Sequence, residues 1–274
     1  MTTQELFNLA GKTAVVTGGS GGLGSAMARG LAQAGARVAI VSSRAETGAA
    51  VAQAINDAGG TATNFAADIT DASAIKRAAA KFEHAWGPAD ILVNGAGGNA
   101  SAATTSATQS FFQLDAAALA KVFNLNLMGA INASQAFGQS MAQRKQGVII
   151  NIGSMAAERA ITRVSAYGAA KAALDNFTRW LAVHMAQEYS AAIRVNAIAP
   201  GFFLTEQNRF LLTDKATGEF TARAKTIVSH TPMARLGKAE DLLGALLWLA
   251  SPASEFVTGI VVPVDGGFSA WSGV

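Results

Sequence analysis

Seven short apolar runs, each separated from the next by a longer stretch, constrain the architecture of this chain more than any other feature. They are "KTAVVT" (12–17), "RVAIVS" (37–42), "ATNFAA" (62–67), "DILVN" (90–94), "GVIINIG" (147–153), "IRVNAI" (193–198) and "GIVVPV" (259–264). Runs that are apolar throughout, rather than at every second position, belong to strands covered on both faces, as in parallel sheets. Leu23, Met27, Gly30 and Leu31 recur at helical spacing between the first two runs. Val51, Ala52 and Ile55 do so more weakly between the second and third. Strand–helix alternation repeated this often predicts the α/β class: a doubly wound sheet with helices on both sides.

Nothing divides the 274 residues, since no proline-rich linker, repeat or shift of composition marks a boundary. A single domain over 1–274 is expected, with a loop at 99–110 and an irregular insertion containing short helices at 202–235. Only 14% of the residues are charged, against about 25% in ordinary soluble domains, which points to a large core or to subunit contacts. The formal charge is +3 and no run of Lys or Arg exceeds two residues, so the basic footprint of a nucleic-acid binder is missing. Absence of cysteine excludes disulfides, thiol catalysis and thiolate metal sites. None of the three histidines has metal-ligand spacing with another, and no metal is expected. "MTTQELFNLAGK" lacks a basic segment followed by an apolar one, and "LLGALLWLA" (242–250) is too short to span a bilayer. A cytoplasmic protein without a membrane partner is expected.

"TGGSGGLG" (17–24) follows the first run and opens a helical pattern. A pyrophosphate needs that arrangement: backbone that approaches closely and a helix N-terminus directing free N–H groups at it. The end of the second strand is where a dinucleotide site meets the adenosine ribose, and a carboxylate there would repel a 2′-phosphate. This chain has Ser42, Ser43 and Arg44 instead. A cation with two hydroxyls suits the phosphate, so NADP(H) is favoured over NAD(H).

"SAYGAAKAAL" (165–174) sets Tyr167 and Lys171 four residues apart, on one helical face. An isolated phenol titrates near 10, roughly three units above neutrality. A close cation is expected to lower that value by roughly 1–3 units, which would let the tyrosine exchange a proton with a carbonyl or alcohol oxygen. "NIGSM" places Ser154 at the carboxyl edge of the sheet, where doubly wound folds bind ligands. Asn124 and Asn126 lie in an otherwise apolar helical pattern, "LDAAALAKVFNLNLMGAINASQAF". A buried asparagine is costly unless paired, so at least one should join a polar network or bridge helices. The helix from Ala166 to Met185 is apolar or small nearly all the way round. It needs cover on two sides, the sheet and a second subunit, so at least a dimer is expected.

Taken together, "TGGSGGLG", "NGAG" (94–97), "NLNLMG" (124–129), "NIGSM", "YGAAK" and "NAIAPG" (196–201) resemble, in order and spacing, the short-chain dehydrogenase/reductase family over nearly the whole chain. The resemblance implies a Rossmann fold with a seven-stranded parallel sheet and an NAD(P)-dependent oxidoreductase. It implies a tetrad at Asn126, Ser154, Tyr167 and Lys171. Tyrosine acts as general acid/base and serine positions the reacting oxygen. Lysine holds the nicotinamide ribose and lowers the tyrosine's pKa, and asparagine anchors a relay water. Cofactor contacts are implied at Gly18, Ser20, Gly22, Leu23, Gly24, Ser43, Arg44, Asp68, Ile69, Asn94, Ala96, Gly97, Pro200, Gly201 and Thr205, with Tyr167 and Lys171. Position 95, usually the second Asn of N-N-A-G in the family, is Gly here, a departure expected to loosen that turn. A homotetramer is also implied, with the Tyr167 helix and the long helix before it at the interfaces.

A narrower resemblance lies in "NGAGGN", "APGFFLTEQNRFLL", "HTPMARLG" and "VVPVDGGFSAWSGV", which are similar to the D-mannonate oxidoreductase (fructuronate reductase-like) branch. It implies interconversion of a keto sugar acid and its hydroxy acid. A 3-oxoacyl thioester, another sugar or polyol carbonyl, or a cofactor-sensing regulator on the same fold are the alternatives. A sugar-acid carboxylate needs a cation, and Arg159, Arg163 and Arg209 are candidates, with Asn99 a further substrate contact. His230 would contact substrate or cap a turn.

Overall fold

The computed structural model describes residues 2–205 and 208–272. Seven strands form one sheet: β1 (Thr13–Thr17), β2 (Arg37–Ser42), β3 (Thr61–Ala66), β4 (Ile91–Asn94), β5 (Gly147–Ile152), β6 (Ile193–Pro200) and β7 (Val261–Val264). Their order is β3-β2-β1-β4-β5-β6-β7 and every neighbouring pair is parallel. Each apolar run of the sequence became one strand. The helices are α1 (Thr3–Leu6), α2 (Gly22–Gln33), α3 (Ala45–Asp57), α4 (Ala72–Trp86), α5 (Ala116–Phe123), α6 (Gly129–Arg144), α7 (Ser165–Glu188), α8 (Arg209–Leu212), α9 (Ala222–Ser229) and α10 (Leu243–Ala250). The result is a Rossmann-like α/β fold with helices on both faces of a parallel sheet.

Burial follows strand position. Every residue of β1, β4 and β6 is buried, whereas the edge strands β3 and β7 are only partly covered. Alternate side chains enter two cores, as the two-residue period of a strand requires. Val16, Ile40, Val93 and Ile150 pack with Met27 and Leu31 of α2 and Leu246 and Leu249 of α10. Val15, Ala39, Leu92 and Ile149 pack with Ile75 and Phe82 of α4, Phe137 of α6 and Leu181 of α7. Strand order reverses between β1 and β4, and the carboxyl ends of the strands there frame the crevice in which such folds bind ligands.

The "LDAAALAKVFNLNLMGAINASQAF" pattern forms α5 and α6 joined by a π-helical segment, Asn124–Met128. The extra residue per turn rotates the face that follows, and such segments concentrate at functional sites. The 202–235 insertion contains α8 and α9, which pack with Phe202 and Leu204 around Leu212, Ala224, Ile227 and Leu236. No helix among the described residues is long and apolar enough to cross a membrane.

Candidate active site

The turn after β1 is shaped by its glycines. Gly18 adopts φ +67°, where L-residues are strained, and a Cβ on it would stand 2.6 Å from Ala96 Cα. The Gly18 N–H donates to the Val41 carbonyl (2.8 Å) and its carbonyl accepts from Gly21 N–H (3.0 Å). The turn thus delivers the free N–H groups of the first turn of α2 to the sheet edge. Across from it, a Cβ on Gly22 would touch Thr205 at 3.1 Å, which brings the glycine turn against the start of the 202–235 segment.

These walls enclose a cleft of about 470 Å³. It gathers Gly18, Ser20, Gly22, Leu23, Gly24, Ser43, Arg44, Asp68, Ile69, Ala96, Gly97, Pro200, Gly201 and Thr205 with Ser154, Tyr167 and Lys171. One end is the glycine turn with Ser43 and Arg44, and the other holds the three side chains suited to proton transfer. A dinucleotide fits this donor set: a glycine cradle in which Gly18 and Gly24 leave no room for a Cβ, a helix N-terminus for the diphosphate, and hydroxyls and a cation at the ribose end.

Lys171 is buried and donates to the Ile152 carbonyl at 2.7 Å, so the ammonium is fixed at the end of β5. Its Nζ lies 5.7 Å from the centre of the Tyr167 ring. Burial pulls its pKa down from 10.5 to about 8, with Asp175 acting the other way. The expected depression of the Tyr167 pKa is not what the structure gives. Burial raises it above 10.0, and the hydrogen-bonding influence of Ser154 opposes that only in part. The physical reason is that taking the phenolate out of water outweighs an ammonium that is itself desolvated and committed to a backbone carbonyl. The phenol is therefore held protonated at neutral pH. The Ser154 hydroxyl accepts from Ala156 N–H at 3.1 Å and hydrogen-bonds toward the Tyr167 oxygen, so the two hydroxyls meet at the same point of the cleft.

Asn126 lies beneath the cleft, placed there by the π-helical segment. Its Nδ2 donates to the carbonyls of Gly98 (2.6 Å) and Val122 (2.8 Å), and its Oδ1 accepts from Gly98 N–H (3.1 Å). A Cβ on Gly97 would meet Asn126 Oδ1 at 2.7 Å and Lys171 Nζ at 3.3 Å, so the segment that follows β4 runs directly over both. Asn94 is buried below the cleft and donates to Asn151 Oδ1 (2.8 Å) and Ser134 Oγ (3.0 Å), while Asn151 donates to Thr178 Oγ1 (2.8 Å). That polar ladder ties β4, β5, α6 and α7 together under the site. Gly95 does not loosen its turn, because a Cβ there would come 2.9 Å from the Thr17 carbonyl. The turn is packed against β1 and accommodates glycine best.

The four substrate candidates lie outside this lining. Asn99 donates to Thr104 Oγ1 (2.9 Å), and Arg159 donates to the Ser269 carbonyl, tying the C-terminal segment to the loop before α7. Arg159 and Arg163 line a separate hollow of about 450 Å³ beside Ser165 and Gly168. Arg209 begins α8. His230 closes the end of α9, with its Nδ1 2.8 Å from the Thr226 carbonyl. Sequence reasoning missed Phe203 and Asn208, which line the cleft. Asn208 accepts from Thr205 N–H (2.8 Å) and donates to the Phe203 carbonyl (2.7 Å), a local closure with no spacing signature. Among the described residues no three His, Asp or Glu side chains form a set that would hold a metal ion.

Residues 12–216 match the model of the short chain dehydrogenase family. The "Uncharacterized oxidoreductase UxuB" of Bacillus subtilis (strain 168) is 52% identical over 97% of this chain and 98% of its own length. A Haemophilus influenzae protein, solved with bound NAD under the provisional name D-mannonate oxidoreductase, superposes with a TM-score of 0.92 at 42% identity over all of both chains. A gluconate 5-dehydrogenase from Burkholderia cenocepacia J2315, in complex with NADP and tartrate, does so with a TM-score of 0.89 at 33% identity over 98% of this chain and all of its own. The glycine cradle, the Ser154–Tyr167–Lys171 cluster and these likenesses agree, and the chain belongs to the short-chain dehydrogenase family of NAD(P)-dependent oxidoreductases.

Proposed function

We propose that the protein interconverts a keto sugar acid and its hydroxy acid, of the D-fructuronate/D-mannonate type, with NADP(H) favoured over NAD(H), as a cytoplasmic homotetramer. The observation that carries the reading is the cluster of Ser154, Tyr167 and Lys171 at one end of the dinucleotide cleft. The sugar-acid names of the similar H. influenzae and B. cenocepacia proteins support the substrate class. When bound, the nicotinamide supplies or accepts the hydride.

This chain's residues handle the oxygen. In reduction, the Ser154 hydroxyl donates a hydrogen bond to the substrate carbonyl oxygen and the Tyr167 phenol gives it a proton as the carbon gains hydride. In oxidation, the same phenol, deprotonated, takes the proton from the alcohol. The Lys171 ammonium supplies positive charge beside the ring, and Asn126 holds the Gly97–Gly98 backbone under the reacting atoms. Ser43 and Arg44, the two residues directly after β2, support the 2′-phosphate reading, since neither is acidic. Arg159, Arg163 and Arg209, though outside the cleft lining, stand as the candidates for the substrate carboxylate, with Asn99 a further substrate contact.

Initial rates of NADPH and NADH oxidation test this. D-fructuronate is expected to exceed an acetoacetyl thioester in kcat/KM by roughly 100-fold or more, because a site built for a substrate's polar groups rejects an analogue lacking them. Faster turnover of the thioester overturns the substrate class, and equal or faster use of NADH overturns the cofactor preference.

The assembly has its own support. Trp180 and Val183 of α7 are each 56% exposed. The Trp180 ring stacks on Phe177 (6.3 Å) and His184 (4.8 Å), giving a flat apolar face suited to a second subunit. Light scattering is expected to give four times the 28.0 kDa chain mass, and Trp180→Glu to shift the protein to smaller species. A monomeric mass for the wild type would refute this assembly.

A further inference from the structure

Asp175 lies one helical turn beyond Lys171 on α7 and is used by none of the steps above. It is only 4% exposed, and its Oδ1 accepts no hydrogen bond from the described residues. That oxygen faces the end of β5, since a Cβ on Gly153 would stand 2.8 Å from it and 3.4 Å from the Ile198 carbonyl. Lys171 donates to the carbonyl of Ile152, the residue before Gly153. Ser154 follows. The carboxylate and the ammonium therefore flank the same two-residue strand end that carries the substrate-orienting hydroxyl.

A carboxyl buried without its full complement of hydrogen bonds is unfavourable for the fold. The charges that reach it are few: Arg179 one further turn along α7, Lys171 itself, and Glu158 from the loop after β5. Burial moves its pKa up from 3.8 to about 6, with Arg179 and then Lys171 opposing the shift and Glu158 adding to it. The sign follows from linkage. A carboxyl that binds its proton more tightly when folded lowers stability as pH climbs from about 4 through about 6. At neutral pH, then, this charge does not serve the fold.

We propose that Asp175 is a positioning residue for the proton-transfer pair: its buried carboxylate is the counter-charge that keeps the Lys171 amine in its ammonium form at the end of β5. The proposal rests on the reading of Tyr167 and Lys171 as that pair. Lys171 sits in a place that strips charge from an amine, and among the described residues no carboxylate hydrogen-bonds it. Among the described residues the acidic group that favours its charge is Asp175. Glycine at position 153 keeps the strand end free of any side chain that would push the carboxylate away.

The test uses the full-length protein labelled with ¹³Cε-lysine, the Lys171 signal being assigned by its loss in Lys171→Met. In Asp175→Asn, a near-isosteric change, Lys171 is expected to titrate at a pH lower by roughly one unit, with thermal stability at pH 7 equal or higher. Arg179→Met alters an exposed side chain and is expected to move Lys171 in the same direction by less, because Asp175 then keeps its proton to higher pH. In turnover, the ratio of Asp175→Asn to wild-type kcat/KM should be near one at pH 6, where the wild-type carboxyl is itself half neutral. It should fall several-fold by pH 8. Unchanged Lys171 titration in both variants overturns the proposal, as does lost stability with no change in the pH profile. The lysine titration needs no substrate, so a failed substrate assignment leaves this result readable.

Discussion

Tyr167→Phe is expected to lower kcat by roughly 10²–10⁴-fold, the range over which a positioned acid or base contributes, while dinucleotide affinity stays nearly unchanged. The substitution removes one oxygen and keeps the ring, so the wall of the cleft survives. The Lys171 ammonium keeps its 2.7 Å bond to the Ile152 carbonyl and its position over the ring. Loss of the proton donor and little else is what single-turnover kinetics and equilibrium binding of the reduced cofactor should report. Because burial holds the Tyr167 pKa above 10.0, the wild-type protein carries the acid form at neutrality. Reduction should therefore be flat through neutral pH and decline only in alkali, whereas oxidation should rise with pH as the phenolate forms. A phenylalanine variant that keeps a tenth or more of the wild-type rate would remove Tyr167 from the proton path.

That pH behaviour separates what the residue pattern reveals from what only packing decides. The seven strands are legible because a parallel strand buried on both faces is nearly continuously apolar; exceptions such as Asn94 in β4 and Arg194 and Asn196 in β6 are buried on hydrogen bonds of their own. The Tyr167–Lys171 relation is legible because i and i+4 on a helix are neighbours in any fold. The direction of the Tyr167 shift is not, since it is a contest between desolvation and charge set by burial and by where the amine points. Lys171 aims at a strand carbonyl, a long-range partner with no trace in its local sequence. The π-helical turn at Asn124–Met128 is hidden for a similar reason: its residues read as ordinary helix, and the bond from Asn126 to Gly98 that fixes it spans two segments. Arg159 shows the opposite case. A cation near the reactive helix suggests a ligand, yet its guanidinium reaches the Ser269 carbonyl in the C-terminal segment. Asp175 leaves no signal in the sequence because a single acid on a helix looks like solvent-facing polarity until its burial is known.

Gly24→Ala is expected to weaken dinucleotide binding by roughly 10²-fold or more, the order of loss that follows when one or two hydrogen bonds to a charged diphosphate are broken. It is also expected to destabilise the fold, and the sign has to be argued, because alanine in a helix normally gains about 0.8–1.0 kcal/mol over glycine. Gly24 lies in the first turn of α2 and is buried. A Cβ there would overlap the Gly18 carbonyl oxygen and stand 2.8 Å from its carbon. Neither atom is the end of a flexible side chain. Both belong to the turn that Gly18 holds at φ +67°, so relief requires α2 to move off β1 or the turn to open. Overpacking of a rigid interior typically costs about 1–3 kcal/mol, which exceeds the helix-propensity gain, and the displaced groups are the very N–H donors a diphosphate needs. Gly244→Ala in α10 supplies the control: nothing lies within 4 Å of the added Cβ, so there the propensity gain stands alone and stability should hold or rise slightly. Chemical denaturation of both variants, with fluorescence titration of NADPH, distinguishes a cradle that must be glycine from a helix that merely contains one. If Gly24→Ala bound the dinucleotide as tightly as wild type, the cleft at the β1–α2 turn would not be the pyrophosphate site.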